Sequence, residues 1–229
     1  MCGRFTLRVE DEDLSDFFDL PNEVNVAPRY NIAPSQDIYT LRLTPSRREK
    51  KLGRMHWGLV PSWAQDPKIA FRLINARSET VENKPSFRDA FRSQRCLIPA
   101  SGYYEWKREG KEKVPYLISH EDGKLMAFAG IWDTWINPAG EPLTSCSILT
   151  TEALPDLEKI HSRMPLILES SDFDTWLSPS EIPDQEFMMP YQRKALKAMP
   201  LSSHVNSAAN DDPRCLEPRK SNPQMELLL

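Results

Sequence analysis

The chain opens Met1-Cys2-Gly3-Arg4. A small residue in second place permits removal of the initiator Met, which leaves Cys2 with an α-amine and a thiol on adjacent carbons. The α-amine has a reference pKa of about 7.7–8.0, against about 10.4 for lysine, so a useful fraction is free and nucleophilic at neutral pH. The thiol, near about 8.5, ionises more readily beside a cation. A 1,2-aminothiol condenses with an aldehyde through an imine, and the thiol then closes a five-membered thiazolidine. The bland alternative for Cys2 is a buried cysteine without a role.

Three further segments carry groups suited to such chemistry. In Gly102-Tyr103-Tyr104-Glu105-Trp106-Lys107, strand alternation puts Glu105 on one face with Tyr103 and Lys107. A carboxylate among aromatic rings is partly desolvated, which raises its pKa toward the range useful for proton transfer; a solvent-facing Glu paired with Lys107 is the other reading. His161 sits where a short helix ends, before Pro165. A helix C-terminus favours imidazolium, which suits a general acid, although a lone His also serves structure. Asn75 and Arg77, two apart on a strand, share a face that could orient a sugar and grip a phosphate, or hydrogen-bond within the fold. Trp57 and Trp63 bracket a Pro-containing loop and offer either stacking surface or core.

The elements that position these residues read as follows. Leu14, Phe17 and Phe18 mark an amphipathic helix over Glu10–Leu20. Strands are expected over Asp37–Leu43, Arg54–Leu59, Leu73–Arg77, Arg95–Ile98, Gly102–Lys107, Val114–Ser119, Leu125–Trp132 and Ser145–Thr150. The run His120–Lys124, with Asp122-Gly123, reads as a hairpin turn between two of them. Short helices are expected around Phe87-Ala90-Phe91, after Pro155, and over Phe173-Trp176-Leu177. These give an α+β fold with a mostly antiparallel, barrel-like sheet core and flanking short helices. Residues 1–217 form one domain; from about Pro213 the chain turns polar and aperiodic, and residues 218–229 are expected to form a flexible tail.

With 229 residues and a hydrophobic fraction of 40%, the chain can bury a proper core. No apolar run approaches the ~20 residues of a membrane helix, and the acidic N-terminus lacks the layout of a secretion signal. A cytoplasmic protein is expected. Four scattered cysteines form no disulfide framework. Four histidines show no zinc-ligand spacing, so neither a metal nor another cofactor is expected. The net charge of −4 means that any nucleic-acid surface must be local.

Taken in order, several segments resemble the SRAP family, the SOS-response-associated peptidases or abasic-site processing proteins. They are Met1–Phe5, Arg29–Pro34, Trp57-Gly58 with Pro61–Trp63, Ile74–Thr80, Arg95–Ala100, Gly102–Trp106, Ile148–Thr151, Ile160–Pro165 and Val205-Asn206. The resemblance thins between Ser178 and Ala198. It implies an SRAP-like fold and a partner, single-stranded DNA containing abasic sites, to which Cys2 bonds as a thiazolidine that shields the strand from cleavage. Asn75 would hold the Cys2 end and the sugar, Glu105 would shuttle protons, and His161 would act as the acid that opens the sugar ring. Arg4, Arg77 and Arg163 would neutralise phosphates. Asn31, Pro34, Trp63 and Trp106, with Phe87 as a weaker candidate, would line the groove or wedge around the bases. A monomer at damaged DNA in the nucleoid is expected, near replication-fork proteins. Weak lyase activity would be a by-product of the imine. Two other classes compete: a thiol (auto)peptidase that uses Cys2, His161 and Glu105 and removes Met1, and a non-catalytic single-strand binding module.

Overall fold

A computed structural model describes residues 2–9, 14–22, 24, 26–44, 49–189 and 195–220. Its strands, in chain order, are β1 (Phe5–Leu7), β2 (Arg29–Ile32), β3 (Asp37–Leu43), β4 (Lys50–Trp57), β5 (Asn75–Arg77), β6 (Arg95–Ala100) and β7 (Gly102–Glu109). They continue as β8 (Glu112–His120), β9 (Met126–Ile136), β10 (Pro142–Glu152), β11 (Arg163–Pro165), β12 (Ile167–Leu168) and β13 (Leu196–Pro200). The helices are short: α1 (Leu14–Phe18), α2 (Arg88–Ser93), α3 (Pro155–Glu158) and α4 (Phe173–Leu177).

The strands make two sheets. One runs β13-β8-β7-β1-β2. In the other, β10, β4, β3, β6 and β9 pair in sequence and β9 returns to β10, closing a five-stranded barrel. The order is mostly antiparallel, but β10 runs parallel to both β4 and β5. The fold is therefore α+β with a barrel-like core, as the sequence predicts. Closure removes free edges from the barrel, where the longest strands are.

An aromatic seam runs from β1 into both sheets. The Phe5 ring meets Trp57 at 5.3 Å and Phe128 at 5.9 Å, and Tyr103 meets Phe128 at 6.2 Å, all edge-to-face. These four rings are at most 1% exposed. The Trp57 indole N–H donates to the Ile74 carbonyl at 2.9 Å, which fixes the residue before β5. On the other flank, Arg95 is buried and its guanidinium donates to the carbonyls of Phe91, Trp176, Ser178 and Glu181, tying α2 and α4 to β6.

The structure corrects two expectations. The turn at Asp122-Gly123 forms, with Gly123 at φ +77°, but it joins strands of different sheets and is no hairpin. The β7–β8 hairpin turns instead at Gly110-Lys111, between the paired Glu109 and Glu112; the flanking run of charges hid it. The chain after Pro213 is also fixed further than expected. Pro213–Leu216 is a 3-10 turn with Cys215 fully buried, Leu201 bridges Pro218, and Arg219 pairs with Glu109 and Glu112. Residues 221–229, like the first positions of the expected Glu10–Leu20 helix, lie outside the described residues.

Because β1 is only three residues long, its place depends on the Phe5 ring. Phe5→Ala is expected to cost about 3–5 kcal/mol in urea unfolding, with the β1 amides losing hydrogen-exchange protection first.

Candidate active site

The four residues expected to do chemistry come from both sheets and meet where β1 lies over the barrel. Pairing of β1 with β7, Phe5 opposite Tyr103, brings the residues before Phe5 alongside Tyr104 and Glu105; the Tyr104 N–H donates to the Arg4 carbonyl at 2.9 Å. From the barrel, β5 aligns Asn75 with Ile148 of β10, and the Asn75 amide Nδ2 donates to the Cys2 carbonyl at 2.8 Å. Its Oδ1 is buried and meets no donor among the described residues. An acceptor left so costs about 1–3 kcal/mol, so it stands ready for a ligand's N–H or O–H. His161 follows α3, and its Nδ1 lies 4.0 Å from the Glu105 carboxylate.

Burial sets the proton affinities. Cys2 is 0% exposed in the full chain, and burial, with the nearby Glu105 charge second, pushes its thiol well above the ordinary range. Glu105 is 5% exposed, and burial raises its carboxyl to about 7. His161 is lowered, chiefly by burial. This overrides the expected helix-end effect: α3 is one turn long and has ended by Glu158. His161 Nδ1 lies 2.9 Å from the Arg163 backbone nitrogen and 3.2 Å from its carbonyl oxygen, which fixes the ring and turns Nε2 away from Arg163. The result is a neutral thiol, a neutral imidazole and a carboxyl that exchanges its proton near neutrality.

The expected nucleic-acid contacts divide. Arg77 is exposed. Trp63 is 54% exposed and lines a shallow pocket with Lys68 and Arg72. Pro34 is half-buried just after β2, and Trp106 is half-buried with its indole N–H on Asn206 Oδ1 at 2.8 Å. Arg4 lies 5.7 Å from the Trp106 ring centre and donates to Asn31 Oδ1 and the Val205 carbonyl.

Three candidates are drawn inward. Asn31 is fully buried and its amide serves the carbonyls of Val205, Ser207 and Asn210, so it reaches the site only by holding Arg4. Phe87 is 5% exposed in the core at the start of α2. The Arg163 guanidinium makes two hydrogen bonds to Glu79, at 2.6 and 3.0 Å, and one to the Thr150 carbonyl. The charge expected to face phosphate is thus paired with Glu79, while the Arg163 backbone holds His161. The residue that sequence reasoning passed over is Glu79. It lies in the segment that carries Asn75 and Arg77, and β5 and β11 flanking β10 bring it to Arg163.

Glu105 makes stability depend on pH. Its folded pKa of about 7 exceeds its ordinary value of 4.5, so the folded state holds the proton more tightly. Stability is then full below about pH 4.5 and falls as pH rises toward 7. Glu105→Gln is expected to raise Tm relative to the parent at pH 8, by an amount corresponding to about 1–3 kcal/mol, and to leave it unchanged at pH 4.

Residues 1–208 match the family described as SOS response associated peptidase (SRAP). The abasic site processing protein YoqW of Bacillus subtilis is 43% identical over 224 residues, covering 95% of this chain and 99% of that protein. The abasic site processing protein HMCES of Gallus gallus is 38% identical over 197 residues; the match covers 74% of this chain and 58% of that longer one. Among solved structures, a Bacteroides thetaiotaomicron protein superposes with a TM-score of 0.72 at 29% identity, covering 83% of this chain and 85% of its own. A Bordetella bronchiseptica protein gives 0.72 at 28% identity, covering 88% and 100%. With the family match spanning nearly the whole chain and the fold shared with solved relatives, this protein belongs to the SRAP family.

Proposed function

We propose that this protein, once Met1 is removed, captures abasic sites in single-stranded DNA by forming a thiazolidine between Cys2 and the ring-opened sugar. The observation that carries this reading is the convergence of Cys2, Asn75, Glu105 and His161 at one buried point. The names of the relatives, abasic site processing proteins, support the substrate.

In this mechanism the closed sugar opens as the Glu105 carboxylate takes the C1′ hydroxyl proton and returns it to the ring oxygen, which the His161 Nε2–H steadies by a hydrogen bond. The Cys2 amine attacks the C1′ aldehyde, and Glu105 carries both amine protons in turn to the C1′ oxygen, which leaves as water and gives an imine. The thiol then adds to C1′ as Glu105 carries its proton to the imine nitrogen. The sum is aldehyde plus aminothiol giving thiazolidine plus water. Asn75 Oδ1 accepts a hydrogen bond from the reacting amine or the freed sugar hydroxyl. Closing the ring removes the imine that would otherwise promote β-elimination, so strand cleavage is at most a weak side activity. A thiol peptidase fits less well, because burial raises the Cys2 thiol and lowers His161, whereas a thiolate–imidazolium pair needs the reverse.

Intact mass spectrometry after incubation with a single-stranded oligonucleotide bearing one abasic site tests the reading. The expected adduct has the summed mass less one water, and it is absent from Cys2→Ala and from protein that retains Met1. A durable adduct with Cys2→Ser would rule out the thiazolidine. Glu105→Gln is expected to slow adduct formation by about 10²–10⁴. It should also erase a rise in rate through about pH 7, where the wild-type carboxyl ionises.

Non-covalent binding reports the phosphate contacts. In the Cys2→Ala protein, Arg77→Ala is expected to flatten the log-affinity against log-salt slope by about 0.7, the loss of one phosphate contact on a single strand. An unchanged slope would remove Arg77 from the interface.

A further inference from the structure

Away from Cys2, the segment after β13 gathers three residues of metal-ligand type. His204 lies in a 3-10 turn (Ser203–Asn206), Asp212 caps a second one (Pro213–Leu216), and Cys215 lies within that second turn. One ligand atom from each falls within 4.8 Å of the others. His204 Nε2 is 3.2 Å from Asp212 Oδ2, while the ring's Nδ1 faces the Asn210 amide at 3.3 Å. The ring is therefore held with Nε2 toward the carboxylate. Cys215 is fully buried, with Sγ 3.4 Å from the Asn210 carbonyl, and it closes the inner side of the group.

We propose that His204, Asp212 and Cys215 form a binding site for a borderline-soft divalent cation such as Zn²⁺, with water in the fourth position. An imidazole nitrogen, a carboxylate oxygen and a thiolate are the donors that select zinc over magnesium or calcium. Three contacts must yield. The His204 Nε2 proton moves to Nδ1, the Asn210 amide N–H that faces Nδ1 withdraws, and the Cys215 thiol proton is released to water as the metal–sulfur bond forms, so affinity rises with pH. Arg214 bridges Asp212 at 3.1 Å, but its side chain is 66% exposed, and an exposed pair of this kind contributes little. The spacing, His204 to Asp212 to Cys215, matches no familiar zinc pattern, which is why the sequence gives no warning of it.

The site bears on the DNA-facing side through the backbone. The His204 turn contains Val205, whose carbonyl receives Arg4 and Asn31, and Asn206, which receives Trp106. An ion that ties His204 to Asp212 and Cys215 therefore braces the acceptors of Arg4 and Trp106. Its role is structural, and no step at Cys2 passes through it.

Cobalt(II) is the probe, because a thiolate ligand gives it an intense near-ultraviolet charge-transfer band. The titration is run on the wild type and on Cys2→Ala, since a free N-terminal aminothiol binds metals by itself. The expected result is a band that saturates at one cobalt per chain in Cys2→Ala, is displaced by zinc, and is lost in Cys2→Ala/Cys215→Ser. Loss of a ligand should weaken binding at least as much as loss of an outer-shell partner, about 10–100-fold. If Cys215→Ser fails to fold, the half-exposed positions decide: His204→Gln and Asp212→Asn must each weaken the band's midpoint by that factor. Absence of the band in Cys2→Ala, or a band indifferent to His204→Gln, overturns the site.

Discussion

The structure depends on how three residues of β1 are held against a barrel to which they do not belong. Phe5 does this by placing one ring against Trp57 and Phe128, with Tyr103 completing the seam. Edge-to-face pairs of this kind contribute about 0.5–1.5 kcal/mol beyond their burial. Three of the four chemical residues lie within a few positions of that seam or of a carbonyl it fixes. Cys2 is three positions before Phe5, Glu105 is two after Tyr103, and Trp57 fixes the carbonyl that precedes Asn75. A nucleophile at a chain terminus is ordinarily mobile, and here the aromatic packing removes that freedom.

Burial then works differently on each group it encloses. The same dry surroundings keep the thiol and the imidazole neutral and move Glu105 to about 7. A carboxyl at that value gives and takes protons equally well near neutrality, which a surface glutamate does not. The cationic groups sit outside this pocket or are already matched, as Arg163 is by Glu79. The protein's overall charge of −4 is therefore compatible with a small local binding face.

Much of this was legible in the residues. The alternation of β7 put Glu105 with Tyr103, and the structure agrees: Tyr103 packs in the main core, whereas Tyr104 packs in a separate cluster with Trp106 and Val205. β3 has the bounds that its alternation indicated. What could not be read was long-range. Asn31 and Arg163 are polar residues in motifs, and nothing in their neighbours told that their partners would be Val205 and Glu79. The three-residue strands β1 and β11 are too short for any period to show, yet they flank the Cys2 terminus and carry Arg163. The turn at Asp122-Gly123 was read correctly as a turn; turn chemistry does not say which sheet the next strand will join.

The clasp between Arg4 and Val205 spans 201 positions of sequence. A growing polypeptide is made from its amino end, so Cys2 emerges long before Val205. Until then the reactive end lacks the backbone acceptor that docks Arg4, and the loop that must close spans those 201 positions. A chain cut short before Val205 thus carries the aminothiol without the backbone acceptor that docks Arg4 beside it.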